Sequence, residues 1–357
     1  MSTFISIVFA IFLFSLLIFV HELGHFLAAK AFKVRVNEFS MFMGPAIFKK
    51  KIGDTLYSIR CIPIGGYCAM EGEDQDTDDP NSLQKAAWWK RLIIFVAGAF
   101  MNFIAGFLLF AIIFMPMKGM VTPVIDSFSE ESLITGVNGL QPGDEILKID
   151  GEKIFVYEDF LTILSINGGE VHDLEVLRNG EKVVLNDFAM KTYETTDENG
   201  KSVRMYGINF KVIQPTFMDK LQYVWDYCMD NVRNVRLSLK MLFSGKAGIN
   251  DVSGAVGIVA IMTDAATEAE TTMAAMRTMV YFCGFLAVNL AVMNLLPFPA
   301  LDGGRVVALL LTTAIEAITK KKINPKYEGY IHAAGMVLLL GLMLLITFKD
   351  IFTIFKG

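Results

Sequence analysis

Charged side chains are scarce in this sequence. Asp, Glu, Lys and Arg supply 19% of the 357 residues, while 54% are hydrophobic and the mean hydropathy is +0.47. Soluble domains carry roughly 25% charged residues. The shortage is concentrated in long uncharged runs, which excludes an ordinary soluble domain and points to a polytopic α-helical membrane protein. The formal net charge of −5 means little when charge is segregated by segment. No basic tract is present, which argues against a nucleic-acid partner. Cysteine is also rare. Cys61, Cys68, Cys228 and Cys283 make no disulfide framework. Cys61 and Cys68 flank an Ile-Gly-Gly turn and could face each other on a hairpin, but a metal pair there lacks two further ligands, so reduced thiols are expected. A positive n-region and a small-x-small cleavage site are both missing near Met1, so the first apolar run is expected to stay in the mature protein.

Histidine is just as sparse, with four in the chain, and two of them fall in His21-Glu22-Leu23-Gly24-His25. That pattern sits inside an apolar run from Phe4 through Ala29. On a helix, imidazoles four residues apart point from one face and can share a zinc ion, with the intervening glutamate placed to take a proton from water. Charged groups near the centre of a membrane helix cost roughly 2.5–3.5 kcal/mol each, so they persist where they have partners and a task. A solvated helix end is the plainer explanation, since Lys30 and Lys33 follow closely, but it leaves the spacing unexplained.

Four segments are long and apolar enough to span a bilayer: about 4–32, about 92–115 after the interfacial Trp88-Trp89, one starting near Met279, and about 333–348. Lys33, Arg35, Lys49, Lys50, Lys51, Arg60, Lys85, Lys90 and Arg91 lie between the first two spans; Arg305, Lys320, Lys321, Lys322 and Lys326 lie between the last two. The positive-inside rule puts both loops in the cytoplasm and leaves both termini and residues 119–278 outside. Acidic residues from Glu71 to Asp79 read as a solvated loop without calcium-loop spacing. Residues 37–70 alternate turn pairs such as Gly44-Pro45, Gly53-Asp54 and Gly65-Gly66 with β-leaning runs, which predicts β-hairpins at the membrane. An exposed strand edge there could hold an extended peptide. Residues 121–212 predict a small β-rich domain with turns at Gln141–Asp144, Asp150-Gly151, Asn179-Gly180 and Asn199-Gly200, and a short helix over 157–166. Residues 217–242 predict an amphipathic helix that lies on the outer membrane surface or packs on the small domain. The resulting division is 1–118, 119–212, 213–274 and 275–357.

Two histidines cannot complete a catalytic zinc site, where three protein ligands are expected. His172 lies in the β-rich domain and His332 opens the fourth span; Asp302 is the better candidate. It closes the run Asn294-Leu-Leu-Pro297-Phe-Pro299-Ala-Leu-Asp302-Gly303-Gly304, where two prolines break the third span and let its depth match that of His21. Asn289 and Asn294 are candidates for hydrogen bonds to a substrate strand or a developing oxyanion, or else they glue helices together.

These residues make the chain resemble the site-2 protease family of intramembrane zinc metalloproteases, in its bacterial RseP/RasP form with a single PDZ domain. Met43-Gly44-Pro45, Gly65-Gly66-Tyr67, Gly98-Ala99-Phe100-Met101-Asn102-Phe103 and the Val252–Ile258 loop extend the similarity. Ala99 and Ala255 stand where the family pattern has proline. The resemblance implies four transmembrane helices with a membrane-associated β-hairpin loop, plus an inserted extracytoplasmic PDZ-like domain. It implies Zn2+ held by His21, His25 and Asp302, Glu22 as base and later proton donor, and Asn289, Asn294, Gly65 and Gly66 as substrate contacts. Implied partners are the lipid bilayer of a bacterial plasma membrane and single-span membrane proteins, such as anti-sigma factors or residual signal peptides, already trimmed by another protease. A catalytically silent PDZ-bearing receptor is the rival reading, and an ion transporter is disfavoured because the spans lack a polar chain across the bilayer.

Overall fold

The computed structural model describes residues 3–73, 77–134, 139–196, 202–248, 252–320 and 326–356. The Asn199-Gly200 turn and the basic residues Lys321 and Lys322 lie outside the described residues. The chain forms two compact units, one of residues 1–113 with 234–357, the other of residues 114–233.

The first unit opens with α1 (Thr3–Ala31), apolar on every face, as a membrane span should be. Its outward side chains, among them Phe4, Ile5, Val8 and Phe12, are exposed, while Ala10, Leu13 and Leu17 are buried. Strands β1 (Val36–Ile52) and β2 (Thr55–Met70) follow, pair antiparallel, and are bent by repeated register shifts. Phe39 lies opposite both Cys68 and Tyr57, and Ser40 opposite both Tyr67 and Ser58, so the first part of β1 runs between two segments of β2. Lys30 Nζ donates to Thr55 Oγ1 (2.6 Å) at one end and Ser15 Oγ donates to the Pro63 carbonyl (2.6 Å) at the other. The strands therefore run alongside fifteen residues of α1, about 22 Å of helix.

Helix α2 (Trp88–Phe114) crosses α1 closely: a Cβ on Gly24 would collide with the Ala97 carbonyl. After α5 (Ala255–Thr267) comes α6 (Thr272–Asn294), which meets α2 at Gly106, where a Cβ would strike Val288. Small residues at such crossings let backbones approach within the bilayer. The N-terminal half of α1 packs Ala10, Leu13 and Leu17 against Met262, Ala266, Met279 and Cys283. Its C-terminal half joins a second cluster with Phe39, Cys68, Ile94 and Leu309. Helices α7 (Asp302–Thr319) and α8 (Lys326–Lys356) complete the unit. Among the described residues four helices are long and apolar enough to cross a membrane: Phe4–Ala31, Trp88–Phe114, Thr272–Asn294 and Gly329–Thr353. The protein is a multi-pass membrane protein.

Two expectations change here. The connecting stretch expected before the third span contains α5, and the loop expected after Asp302 contains α7. At 13 residues α5 falls short of the roughly 20 needed to span, so a length criterion passes over it. Helix α7 carries Arg305 and Glu316, and its apolar residues follow one face.

The start of α5 is capped from outside its own sequence. Asp350 Oδ2, on α8, accepts from the N–H groups of Gly254 and Gly257 (2.9 Å each), where a Cβ on either glycine would press on the carboxylate. Anionic groups suit a helix N-terminus. Asp350→Ala should strand both donors and destabilise the protein by about 1–2 kcal/mol, read as a lower melting temperature in detergent, with Asp350→Asn falling between variant and wild type.

The second unit holds β3 (Met120–Phe128), β4 (Glu145–Ile149), β5 (Glu152–Lys153), α3 (Asp159–Asn167), β6 (Val171–Arg178), β7 (Glu181–Ala189), β8 (Tyr193–Thr196), β9 (Ser202–Met205) and β10 (Ile208–Ile213). The main sheet has the order β10-β3-β4-β6-β7, and Ile125, Ile146, Ile149, Phe160, Ile163 and Leu174 form its core. Positive φ at Asn179 (51°) and Gly180 (84°) makes the two-residue turn between β6 and β7. Helix α4 (Phe217–Phe243) begins in this unit, where Arg233 bonds to Asp159 Oδ1 (2.6 Å), to Asp230 and to the Lys153 carbonyl.

Buried Asp144 is gripped by Arg178 through Nε (2.8 Å) and Nη2 (2.7 Å), a bidentate pair that ties the Gln141–Asp144 turn to β6. Arg178→Leu should leave that carboxylate uncompensated and cost about 3 kcal/mol, seen as faster hydrogen exchange across β4 and β6.

Candidate metal centre

Three ligand atoms converge where α1 meets the start of α7. His21 Nε2 is 3.1 Å and His25 Nε2 3.2 Å from Asp302 Oδ2, and the two ring nitrogens are 3.3 Å apart. Tetrahedral zinc with bonds of about 2.0–2.1 Å needs donor atoms about 3.3–3.4 Å apart. The His21, His25 and Asp302 side chains are 11%, 9% and 17% exposed, so the cluster is enclosed yet reachable by water. His25 Nδ1 lies 2.8 Å from the Ile94 carbonyl, which accepts from Nδ1–H, keeps the ring proton there and leaves the Nε2 lone pair free. Asp302 Oδ2 is buried without a hydrogen-bond donor among the described residues. Acceptors crowded this way fit a cation between them. Among the described residues this is the one cluster of three or more metal-ligating groups.

The geometry comes from local chain features. His21 and His25 sit one turn apart on α1. Asp302 begins α7 after a tight turn, in which Phe298 N–H bonds to the Leu296 carbonyl (2.7 Å) and Leu301 N–H to the Phe298 carbonyl (3.1 Å). Gly303 and Gly304 follow because side chains there would collide with the carbonyls of Leu295, Leu296 and Phe298. Ala300 takes φ +80°, a left-handed conformation unusual for a residue with a Cβ, and its N–H donates to His332 Nδ1 (3.1 Å) on α8. Gly335, one turn further on, leaves room for Pro299.

Glu22 lies beside β2, where a Cβ on Gly66 would come 3.8 Å from Glu22 Cγ. Gly65 takes φ +80° and faces Met43. Among the described residues no strand other than β1 pairs with β2, so the segment from Gly66 runs past Glu22 with one side open. Asn289 and Asn294 fall on α6, Asn294 as its last residue, and neither side chain has a hydrogen bond among the described residues. His172 is used elsewhere, bonded to Asp150 (2.7 Å). Burial opposes ionisation of Asp150, but hydrogen bonds from His172, Asp173 N–H and Asn167 outweigh it and hold that carboxyl below the usual range.

Sequence reasoning missed several contributors. The Ile94 carbonyl is backbone and carries no motif. Gly98 packs against both imidazoles, where a Cβ would strike His25 Nε2 and His21 Cε1. Glu73 forms an ion pair with Arg305, one turn after Asp302, and accepts from Met70 N–H (3.2 Å), linking the end of β2 to α7.

Two imidazoles and a carboxylate around one point, a glutamate adjacent, and helices of membrane length fit a metal-dependent hydrolase of the membrane. A sequence profile for peptidase family M50 matches residues 9–342. The chain belongs to that family, the site-2 proteases. It is 36% identical over 350 residues to a protein of Clostridium perfringens, covering 97% of this chain and 98% of the relative, and 37% identical over 352 residues to one of Clostridium acetobutylicum, covering 98% of each. Both are named for the zinc metalloprotease class. Similarity extends to the zinc metalloprotease RasP of Shouchella clausii, 29% identical with 96% of this chain and 98% of the relative covered. The enzyme uses Zn2+.

Gly98→Val would drive a branched side chain into both rings. The purified variant should retain less than about a tenth of the wild-type zinc, measured by elemental analysis.

Proposed function

We propose that this protein is an intramembrane zinc endopeptidase that cleaves transmembrane segments of single-span membrane proteins. The observation that carries the reading is the meeting of His21 Nε2, His25 Nε2 and Asp302 Oδ2 within 3.3 Å of one another, beside Glu22 and an open strand. His21, His25 and Asp302 hold the metal, which supplies Lewis acidity toward water and the scissile carbonyl. Glu22 takes the proton from the attacking water and later delivers it to the leaving amine. The strand from Gly65-Gly66 pairs with an unwound substrate segment, since a helical peptide bond is shielded by its own hydrogen bonds. Asn289 and Asn294, on α6 and without a side-chain hydrogen bond among the described residues, orient that segment or polarise its carbonyl.

The basic residues between the first two spans and Arg305 and Lys320 after the third favour a cytoplasmic side for the active site. Both termini and residues 119–212 are then extracytoplasmic, in a bacterial plasma membrane. The 119–212 domain is PDZ-like and screens substrates whose outer part another protease has trimmed. Anti-sigma factors and residual signal peptides are the substrate kinds this arrangement suits, which makes regulated intramembrane proteolysis its setting. The rest of the division is 1–118 and 275–357 as the membrane core, joined through 213–274.

Glu22→Gln keeps the side-chain shape and removes the base. Cleavage of a single-span substrate in detergent should fall by at least about 100-fold while zinc content is unchanged; continued cleavage would sink the assignment. His21→Ala and Asp302→Ala should each lose zinc as well as activity.

A further inference from the structure

Ile94, Gly98 and Asn102 are spaced four apart on α2 and share one face. The first two already serve the imidazoles: the Ile94 carbonyl accepts from His25 Nδ1–H, and Gly98 leaves room for both rings. Asn102 is 1% exposed, and its Nδ2 lies 3.4 Å from His21 Nδ1. Its Oδ1 is buried with no hydrogen-bond partner among the described residues.

We propose that Asn102 is a positioning residue for the metal, its amide oxygen accepting from His21 Nδ1–H so that the Nε2 lone pair faces the cation. The inference rests on the ligand set proposed above. To bind through Nε2, the His21 ring must carry its proton on Nδ1. An amide N–H facing Nδ1 would select the opposite tautomer and aim an N–H from Nε2 into the cluster. A half-turn of the amide about its last side-chain torsion exchanges nitrogen and oxygen without moving the backbone. That turn brings the orphaned Oδ1 onto Nδ1–H. His25 has the equivalent arrangement with the backbone carbonyl of Ile94, two turns away on the same face of α2. A neutral amide orients the ring without placing another negative charge beside Asp302 and Glu22, where charge would be costly to bury.

The test uses the purified full-length protein and measures zinc affinity by chelator competition, independently of activity. Asn102→Leu, close in size but without an acceptor, should bind zinc about 10–100-fold more weakly. Asn102→Asp keeps an acceptor and should stay within about threefold of wild type or bind more tightly. A residue that merely packs would give the reverse order, because leucine fits an apolar helix face and a buried carboxylate does not. Melting of the zinc-free proteins, followed in parallel, separates loss of fold from loss of metal; if the leucine variant does not fold, Asn102→Ala takes its place with the same expectation. Asn102→Leu (or Ala) binding zinc as wild type does, or Asn102→Asp as weakly as Asn102→Leu, would overturn the proposal. His21→Ala is the control for the underlying ligand set. If it too retains wild-type affinity, that set fails; if it loses zinc while Asn102→Leu does not, this inference alone fails.

Discussion

Three electron-rich atoms held within 3.3 Å of one another, in a region with little water, are the constraint on which this protein turns. Two imidazole lone pairs and a carboxylate repel one another without a cation between them, so the polypeptide must hold them together by packing elsewhere. It does so with glycine. Gly24 and Gly98 bring α1 and α2 into backbone contact at the level of the rings, and Gly106 does the same for α2 and α6. Apolar association gives little drive inside a bilayer, so close approach of this kind carries the stability of the bundle. Binding the metal then adds free energy that the apo protein lacks, coupling the cofactor to the fold.

The carboxylate arm is built differently from the imidazole arm. His21 and His25 inherit their spacing from a continuous helix, whereas Asp302 is presented by a break between two helices. That break is expensive to maintain in a membrane, because free backbone groups need partners. Here they find them within the turn and in His332. The same break ends α6 at Asn294 and starts α7 at Asp302, only eight residues on.

Much of this was readable from residue patterns, for identifiable reasons. The four long apolar helices announce themselves through length and lack of charge, and the imidazole pair through periodicity within a single element. Zinc and protease chemistry followed from the motifs and agree with the relatives. What stayed hidden depends on tertiary placement. Helices α5 and α7 are too short or too charged to register as spans, and their ends are set by Asp350 and by the proline turn. The Ile94 carbonyl has no signature along the chain, and Gly98, although it opens the Gly98–Phe103 run, gives no hint there of the room it leaves for both rings. Asn102 stood within a recognisable run, but only the distance to His21 gives that amide a reason to be there.

Helix α8 is the least enclosed of the four spans, with Val337, Leu344 and Leu345 turned outward. Even so, it is fastened at two points far apart along its length. Near its start His332 and Gly335 seat the strained Ala300 turn two residues before Asp302, and near its end Asp350 closes off α5. An outer helix joined in this way acts as a strut between the carboxylate arm and the flank of α1 that α5 covers. The span most open to its surroundings thus supplies two of the fastenings that hold the membrane unit together, while giving the metal centre no ligand of its own.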